Sequence, residues 1–191
     1  MTGVVVARTA IPDLLEVTLP VHGDERGWFK ENWQAEKMAR AGLPKLDFVQ
    51  QNVAFNAVAG VTRGIHAEPW NKYVSVACGR VFAAIVELRE GPGFGAVVCR
   101  ELTPDKALLI PAGCGNSYQV LEPATAYIYL TTGLWNASIS YPAVSPLDPA
   151  LAIGWPLDGE QAVLSAKDLA APPLADFTPL TPDFGAFGLG R

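Results

Sequence analysis

His66 is the residue of this chain whose surroundings are best suited to acid–base chemistry. Two cations, Arg63 and Lys72, lie within a few residues of it. A histidine titrates near neutral pH and can serve as a general base, and nearby cations favour an anionic substrate. The same surroundings are compatible with a histidine that has no chemical role. Whether His66 is a base or a histidine without a chemical role therefore depends on the strands that position it and on the side chains that those strands place next to it.

Alternating apolar residues follow His66 and predict the sheet that positions it. One alternating run extends from Tyr73 to Cys78, and a second extends from Val81 to Leu88. A period of two is typical of β-strands and not of helices. The pattern predicts two adjacent strands joined at Gly79, with His66 shortly before the first of them.

Short strand-like runs separated by Gly- and Pro-rich turns continue along the chain. One helix is predicted, from Trp33 to Ala41, because good helix formers there are followed by Gly42 and Pro44. Many short strands with a single helix favour an all-β sandwich or barrel. The other predicted strands are Val4–Val6, Leu15–Leu19, Phe48–Phe55, Ala96–Leu102, Ala107–Ile110, Ser117–Leu121 and Ala124–Thr131.

Two polar segments interrupt this pattern. The segment from Gly23 to Trp33 predicts a surface turn that carries Arg26 and Glu31. In the strand predicted at 48–55 the middle positions are three amides, Gln50, Gln51 and Asn52. Amides are costly to bury without partners. Either these side chains face water or one face of the strand lines a polar cavity, and their spacing leaves both alternatives open.

The composition is that of one folded domain. The chain has 191 residues, of which 50% are hydrophobic and 17% charged, so it can bury a core and is not broadly disordered. No apolar run predicts a membrane span or a signal peptide. Three cysteines without metal-binding spacing indicate reduced thiols and a cytoplasmic location. The net charge of -5 argues against nucleic-acid binding but permits a small anionic ligand.

Metal chemistry is not expected, because the chain has only two histidines and the other, His22, lies in a distant turn. Neither a phosphate-binding glycine loop nor a nucleophile elbow is present. What remains is acid–base chemistry without a cofactor. It would use His66 as base, a tyrosine as acid, a carboxylate that orients the histidine, and a cation. That set suits removal of a proton next to a carbonyl group.

Seven segments between about Val4 and Leu174 have a familiar order and spacing: GDERGWFKENW, FVQQNVAF, VTRGIHAEPWNKYVSVACGRVF, GFGAVV, LLIPAG, AYIYLTT and LSAKDLAAPPL. Together they resemble the dTDP-4-dehydrorhamnose 3,5-epimerase family, the RmlC-like sugar epimerases. The resemblance implies a double-stranded β-helix jelly roll over residues 1–175, followed by a Pro/Gly-rich tail at 176–191. It also implies a homodimer that acts on a dTDP-4-keto-6-deoxyhexose without a metal or other cofactor.

The same resemblance implies roles for individual residues. His66 matches the family's base, and Asp168 matches the carboxylate that orients it and stabilises its charge. Tyr129 matches the acid, and Lys72 matches the group that stabilises the developing oxyanion. Contacts with the nucleotide or sugar are implied for Arg26, Glu31, Gln50, Asn52, Arg63, Asn116 and Lys167.

Four segments depart from the family's pattern. The loop Ala67–Asn71 is short and has Glu68 where Gln is common; Asn116 replaces a histidine; Leu134-Trp135 replaces a Tyr-Tyr pair; and Asn136–Asp148 lacks the usual glutamate and Trp-Asn-Asp run. These departures concern whether C3, C5 or both are epimerised. They leave a single-site epimerase of an antibiotic-sugar pathway as the alternative. Two alternatives of other classes also stay open: a non-catalytic sugar-nucleotide-binding module and a 3,4-ketoisomerase of the same barrel class.

Overall fold

Short β-strands make up most of the regular structure in the computed structural model, which describes residues 3–157 and 161–181. The strands are β1 (Val5–Arg8), β2 (Leu15–Thr18), β3 (His22–Asp24), β4 (Gly27–Phe29), β5 (Gln50–Asn56), β6 (Thr62–Ala67), β7 (Lys72–Cys78), β8 (Val81–Glu87), β9 (Val97–Leu102), β10 (Lys106–Ile110), β11 (Cys114–Val120) and β12 (Thr125–Thr131). The helices are α1 (Ala35–Ala41) and α2 (Ala166–Leu169), with single 3-10 turns at Pro149–Leu151 and Leu174–Asp176.

Two antiparallel sheets face each other. The first has the strand order β1-β2-β10-β7-β12-β5, the second has the order β6-β11-β8-β9, and β3 and β4 form a separate hairpin. Their inner faces share one apolar cluster, to which β7 and β10 contribute Val74 and Leu108, and β8 contributes Ile85. Burial of these alternating side chains supplies the main driving force for the sandwich. The predicted double-stranded β-helix jelly roll is thereby confirmed.

Helix α1 covers the outer face of the six-stranded sheet, where Met38 packs with Tyr73 and Leu109. The helix begins after Gln34, whose side chain accepts a hydrogen bond from the backbone of Lys37, and the chain leaves it at Gly42 in the left-handed conformation. The helix predicted at Trp33–Ala41 is confirmed, with its first turn at Ala35. Within the described residues, no helix is long and apolar enough to cross a membrane.

The outer face of the four-stranded sheet is covered by the C-terminal part of the described chain. Ile65 and Leu88 pack there with Val144 and Leu180. The backbone N–H of Leu180 donates to the carbonyl of Leu88 at 2.8 Å, so the first residues of the predicted tail run along the sheet. Residues 182–191 of that tail lie outside the described residues, and the domain boundary between 175 and 176 stays a prediction.

Three local expectations differ from the structure. The segment predicted as a turn from Gly23 to Trp33 includes the hairpin of β3 and β4. Strand β11 begins at Cys114, three residues before the strand predicted at Ser117–Leu121. The strand β6 was not predicted, because Thr62–Ala67 does not alternate and contains a glycine. Regular pairing with neighbouring strands, which local sequence does not reveal, extends these segments into the sheets.

Candidate active site

A cavity of about 600 Å³ lies between the two sheets and gathers most of the predicted site residues. Its size is in the range of pockets that hold small molecules and cofactors. The predicted residues that line it are Arg63, His66, Lys72, Asn116, Tyr129, Lys167 and Asp168. They come from strands β6, β7, β11 and β12 and from helix α2. The cavity therefore joins both sheets to a segment near the end of the described chain.

His66 and Asp168 form a hydrogen-bonded pair across the cavity wall. His66 Nε2 lies 2.8 Å from Asp168 Oδ1, and Asp168 is only 4% exposed. Ser165 caps helix α2 and fixes this carboxylate, because its hydroxyl donates to Asp168 Oδ2 at 2.8 Å and accepts from the backbone N–H of Asp168. A carboxylate that accepts the Nε2 proton leaves the lone pair on Nδ1. His66 is thus oriented to take up a proton at Nδ1.

Strand β6 positions His66 through a close approach of two backbones. Gly64 has φ of 104°, in the left-handed region, and a Cβ there would lie 2.9 Å from the Cα of Ser117. Only glycine fits this position without strain. On the other side of β6 the backbone of Ile65 exchanges hydrogen bonds with Val144. The strand is consequently held on both sides where it carries the histidine.

Lys72 and Tyr129 enter the cavity from the opposite sheet. Strands β7 and β12 are neighbours, and Lys72 Nζ lies 5.7 Å from the centre of the Tyr129 ring. The side chain of Lys72 is 8% exposed and forms an ion pair with Glu68, whose side chain is 11% exposed. The cation and the phenol therefore face the side of the cavity that is lined by His66 and Asp168.

Three tyrosines form the floor of the cavity. Tyr118 and Tyr127 stack with their ring centres 4.0 Å apart, and the hydroxyl of Tyr127 donates to Asn116 Oδ1 at 3.3 Å. Burial raises the pKa of Tyr118 to about 12 and raises the pKa of Tyr127 well above its ordinary value. Burial also raises the pKa of Tyr129, the negative charge of Glu68 raises it further, and Arg63 lowers it. Tyr129 is thus kept as a protonated phenol.

Two cations lie toward the open side of the cavity. Arg63 is exposed, and its Nε donates to Asn56 Oδ1 at 3.2 Å. Lys167 is exposed on helix α2, next to Asp168. Exposed cations at the opening of a polar cavity favour an anionic ligand.

The structure does not bring the predicted residues of the hairpin segment into this cavity. Arg26 is exposed and forms an ion pair with Asp24 on the hairpin. Glu31 forms an ion pair with Lys37 of α1 and borders a different depression. Within the described chain, both residues lie away from His66.

The amides of β5 lie behind the cavity wall. Gln50 and Asn52 are half-buried and joined by a hydrogen bond of 2.7 Å, whereas Gln51 points to the opposite, exposed side. Gln50 also accepts a hydrogen bond from the backbone of Trp135, which does line the cavity. Gln51 thus faces water, whereas Gln50 and Asn52, which were predicted to contact the substrate, do not line this cavity and instead support a wall residue.

Several lining residues were not assigned from the sequence. They are Glu68, Tyr118, Tyr127, Trp135, Tyr141 and Ser165. Tyr127 had a usable signal, because it shares a strand face with Tyr129. Glu68 and Trp135 were recognised as departures from the family's pattern but not as site residues. The role of Ser165 depends on its position as the N-cap residue of a very short helix. The sequence from Leu164 to Asp168 predicts a loop or the start of a helix there, but it does not predict the contact between Ser165 and the carboxylate of Asp168.

The cavity does not offer a cluster of metal ligands. In residues 3–157 and 161–181, no three His, Cys, Asp or Glu side chains are close enough to hold a metal ion. The reaction without a metal or another cofactor stays a prediction from the sequence.

Comparison with known proteins gives matches along nearly the whole chain. A family model described as dTDP-4-dehydrorhamnose 3,5-epimerase matches residues 8–176. The "Protein RmlC homolog" of Streptococcus pyogenes serotype M6 is 44% identical over 179 residues, which cover 90% of each chain. The dTDP-4-dehydrorhamnose 3,5-epimerase of Pseudomonas aeruginosa is 35% identical and covers 88% of this chain and 95% of its own length.

Solved structures match equally well. RmlC from Streptococcus suis, in complex with dTDP-D-xylose, has a TM-score of 0.90 and 41% identity, covering 96% of this chain and 97% of the other. ChmJ from Streptomyces bikiniensis, a 3'-monoepimerase in complex with dTDP-quinovose, has a TM-score of 0.79 and 29% identity, covering 87% and 86%.

Proposed function

The chain belongs to the dTDP-4-dehydrorhamnose 3,5-epimerase family, and from this we propose that it inverts C3, C5 or both in a dTDP-4-keto-6-deoxyhexose. One observation carries the proposal: His66 enters the cavity from one sheet, and Tyr129 enters it from the other. Inversion requires that a proton leaves one face of a carbon and that another arrives on the opposite face. A base and an acid on opposing walls meet that requirement.

His66 removes the first proton in the proposed reaction. C3 and C5 are both adjacent to the C4 ketone, so either proton is acidified by the carbonyl. Nδ1 of His66 accepts the proton, and the electron pair of the C–H bond moves toward O4. Asp168 then accepts a hydrogen bond from an imidazolium and stabilises its positive charge, since its carboxylate lies 2.8 Å from Nε2.

Lys72 stabilises the enolate that results. Its ammonium group is largely shielded from solvent in the cavity wall, where a hydrogen bond to O4 is stronger than in water. Tyr129 returns a proton to the carbon from the other sheet. The raised pKa of Tyr129, caused first by burial, keeps the phenol protonated until that step. Solvent then reprotonates the phenolate and takes the proton from His66.

Arg63 and Lys167 bind the diphosphate of the nucleotide in this proposal. Both are exposed cations at the open side of the cavity, and guanidinium groups bind phosphate oxygens through paired hydrogen bonds. The dTDP-sugar complex of the Streptococcus suis protein supports the same class of substrate here.

We also propose a homodimer in the cytoplasm. The outer face of the edge strand β5 is apolar and exposed, with Val53 at 61% and Phe55 at 63%, and Phe29 on the hairpin is 65% exposed. Such side chains are typical of an interface. A second copy would also offer a way to bring Arg26 and Glu31 to a cavity, which they do not reach within their own chain. The three cysteines are free thiols, which supports a reducing location.

A single-site epimerase is the second candidate. Three residues that depart from the family's pattern, Glu68, Asn116 and Trp135, all line the cavity and so touch the space of the sugar. The similarity to a 3'-monoepimerase adds support, because the same fold can serve inversion at one carbon.

Hydrogen exchange distinguishes these candidates. The protein is incubated with dTDP-4-keto-6-deoxyglucose in deuterated water, and deuterium at C3 and C5 is followed by NMR. Exchange at both carbons is expected, exchange at one carbon selects the single-site enzyme, and exchange at neither rejects an epimerase. His66→Asn should abolish the exchange and leave the circular dichroism spectrum unchanged. Exchange that survives in this variant would assign His66 a structural role.

A further inference from the structure

A buried carboxylate lies beside the cation that the proposed reaction uses. Glu68 lines the cavity and forms an ion pair with Lys72, and both side chains are about nine-tenths buried. Oε2 of this carboxylate is buried and forms the ion pair with the Lys72 ammonium, and no other described residue donates a hydrogen bond to it. A charge held this far from water needs strong partners. The reaction proposed above gives Glu68 no direct contact with the substrate.

The loop that carries Glu68 is firmly fixed. The backbone carbonyl of Glu68 accepts a hydrogen bond from Gly113 at 3.1 Å, and the side chain of Asn71 accepts one from Ala112 at 3.1 Å. Trp70 is 5% exposed and packs edge-on against Tyr141. The short loop thus holds Glu68 and Lys72 at a set separation before any substrate arrives, which is the preorganisation that a recognition site needs.

The pair presents a donor and an acceptor side by side. An ammonium group has three donors and no acceptor, whereas an ionised carboxylate only accepts. An α-hydroxy ketone presents the complementary set, a carbonyl oxygen that accepts and a neighbouring hydroxyl that donates. In a 4-keto-6-deoxyhexose only C3 supplies that hydroxyl, because C5 carries the ring oxygen and a methyl group.

We propose that Glu68 is a specificity-determining residue that accepts a hydrogen bond from the C3 hydroxyl of the substrate while Lys72 holds O4. The proposal rests on the proposed function, since it assumes a 4-keto sugar in this cavity. The protein should therefore prefer substrates with a free C3 hydroxyl over the corresponding 3-deoxy sugars. A substrate without that hydroxyl would leave the buried carboxylate with the Lys72 ammonium as its one donor among the described residues, and the loss of a donor to a buried charge strongly disfavours binding.

The test compares two substrates and three variants. Deuterium exchange at C5, which both substrates share, is measured with dTDP-4-keto-6-deoxyglucose and with its 3-deoxy analogue. The readout is the ratio of the two kcat/KM values. Glu68→Gln keeps the shape of the side chain and Glu68→Ala removes it. Glu36→Gln is the matched control, because Glu36 is also paired with a cation four residues away but has an 80% exposed side chain.

The expected result is that the ratio falls about tenfold or more in Glu68→Ala, which loses a charged hydrogen bond, and stays unchanged in Glu36→Gln. It should fall by a smaller factor in Glu68→Gln, whose amide oxygen still accepts a hydrogen bond but carries no charge. If both Glu68 variants lose activity equally on the two substrates, Glu68 acts only through Lys72 and the proposal is wrong, although the proposed function stands. If the wild-type protein exchanges neither substrate, the proposed function itself fails. Should the 3-deoxy rate fall below detection, dissociation constants from calorimetry give the same ratio.

Discussion

At the scale of the residue, Asp168 is the group on which the orientation of the base depends. Asp168→Asn keeps the size of the side chain but removes the charge that stabilises an imidazolium at His66. We expect deuterium exchange to fall by roughly 100-fold or more, with the thermal unfolding temperature nearly unchanged. Asp176→Asn, at an exposed position, is the control. Wild-type exchange rates in Asp168→Asn would show that the carboxylate contributes only to folding.

Tyr129 gives a prediction that separates exchange from inversion. Without its hydroxyl the base still removes a proton and returns a deuteron on the same face, so exchange continues while inversion stops. In Tyr129→Phe we expect inversion, followed by NMR of the product, to fall at least tenfold more than exchange. Tyr73→Phe is a suitable control, because Tyr73 lies on the outer face of the same sheet. Equal losses of exchange and inversion would argue against Tyr129 as the acid.

The pH dependence of inversion follows from the surroundings of the same tyrosine. The phenol acts while protonated, so inversion is lost as the pH rises through the pKa of Tyr129, which burial and then Glu68 raise above its ordinary value. Glu68→Gln removes one of those two causes. In a plot of the inversion rate against pH, the decrease at high pH should therefore occur at a lower pH in Glu68→Gln than in the wild-type protein. A decrease that stays in place or moves upward would contradict this assignment.

The chemistry of the site could be predicted from the sequence more fully than its geometry. His66 and Lys72 are close in the chain, and their residue types alone indicate a base beside a cation. Asp168 is 102 residues from His66, and no local pattern links two such positions; only the family resemblance did. Glu68 was visible as an unusual residue, but its burial against Lys72 depends on how the short loop folds back, which sequence spacing does not determine.

At the scale of the element, strand β6 depends on one glycine. Gly64 lies in the left-handed region, and a Cβ would also meet the backbone of β11. We expect Gly64→Ala to lower the free energy of unfolding by about 2 kcal/mol or more, measured by urea denaturation. Gly154→Ala is the matched control, because a Cβ there meets nothing within 4 Å. A Gly64→Ala protein as stable as Gly154→Ala would show that the two strands can separate at little cost.

The elements that could be predicted are those whose sequence has a period of two. Strands β7, β8 and β12 were expected from that pattern, although β7 and β8 prove to be buried on both faces. Strand β6 was not predicted, because it contains Gly64 where an alternating strand would have a side chain. The same glycine allows the backbone of β6 to pack closely against β11. Close packing, and not a periodic sequence pattern, therefore determines which residues hold His66 in place.

At the scale of the whole molecule, the jelly roll explains how a few residues distant in sequence meet. Strands β6 and β12 are in different sheets, so their inward side chains approach the same cavity from opposite directions. After β12 the chain returns to β6, and helix α2 places Asp168 within hydrogen-bond distance of His66. A single sheet would present base and acid on one side of a substrate and would not invert a carbon.

The exposed edge strand β5 is the proposed interface of the homodimer. The outer face of β5 exposes Val53 and Phe55 at an edge of the six-stranded sheet, and Arg26 and Glu31 lie outside the cavity of their own chain. Phe55→Glu places a charge in the proposed interface, so light scattering after gel filtration should show a monomer where the wild-type protein is a dimer. Exchange activity should fall with it, because a second copy would supply the missing nucleotide contacts. Leu147→Glu, also at an exposed apolar residue, should stay dimeric and active. A monomeric wild-type protein, or a fully active monomeric variant, would show that one chain completes the site alone.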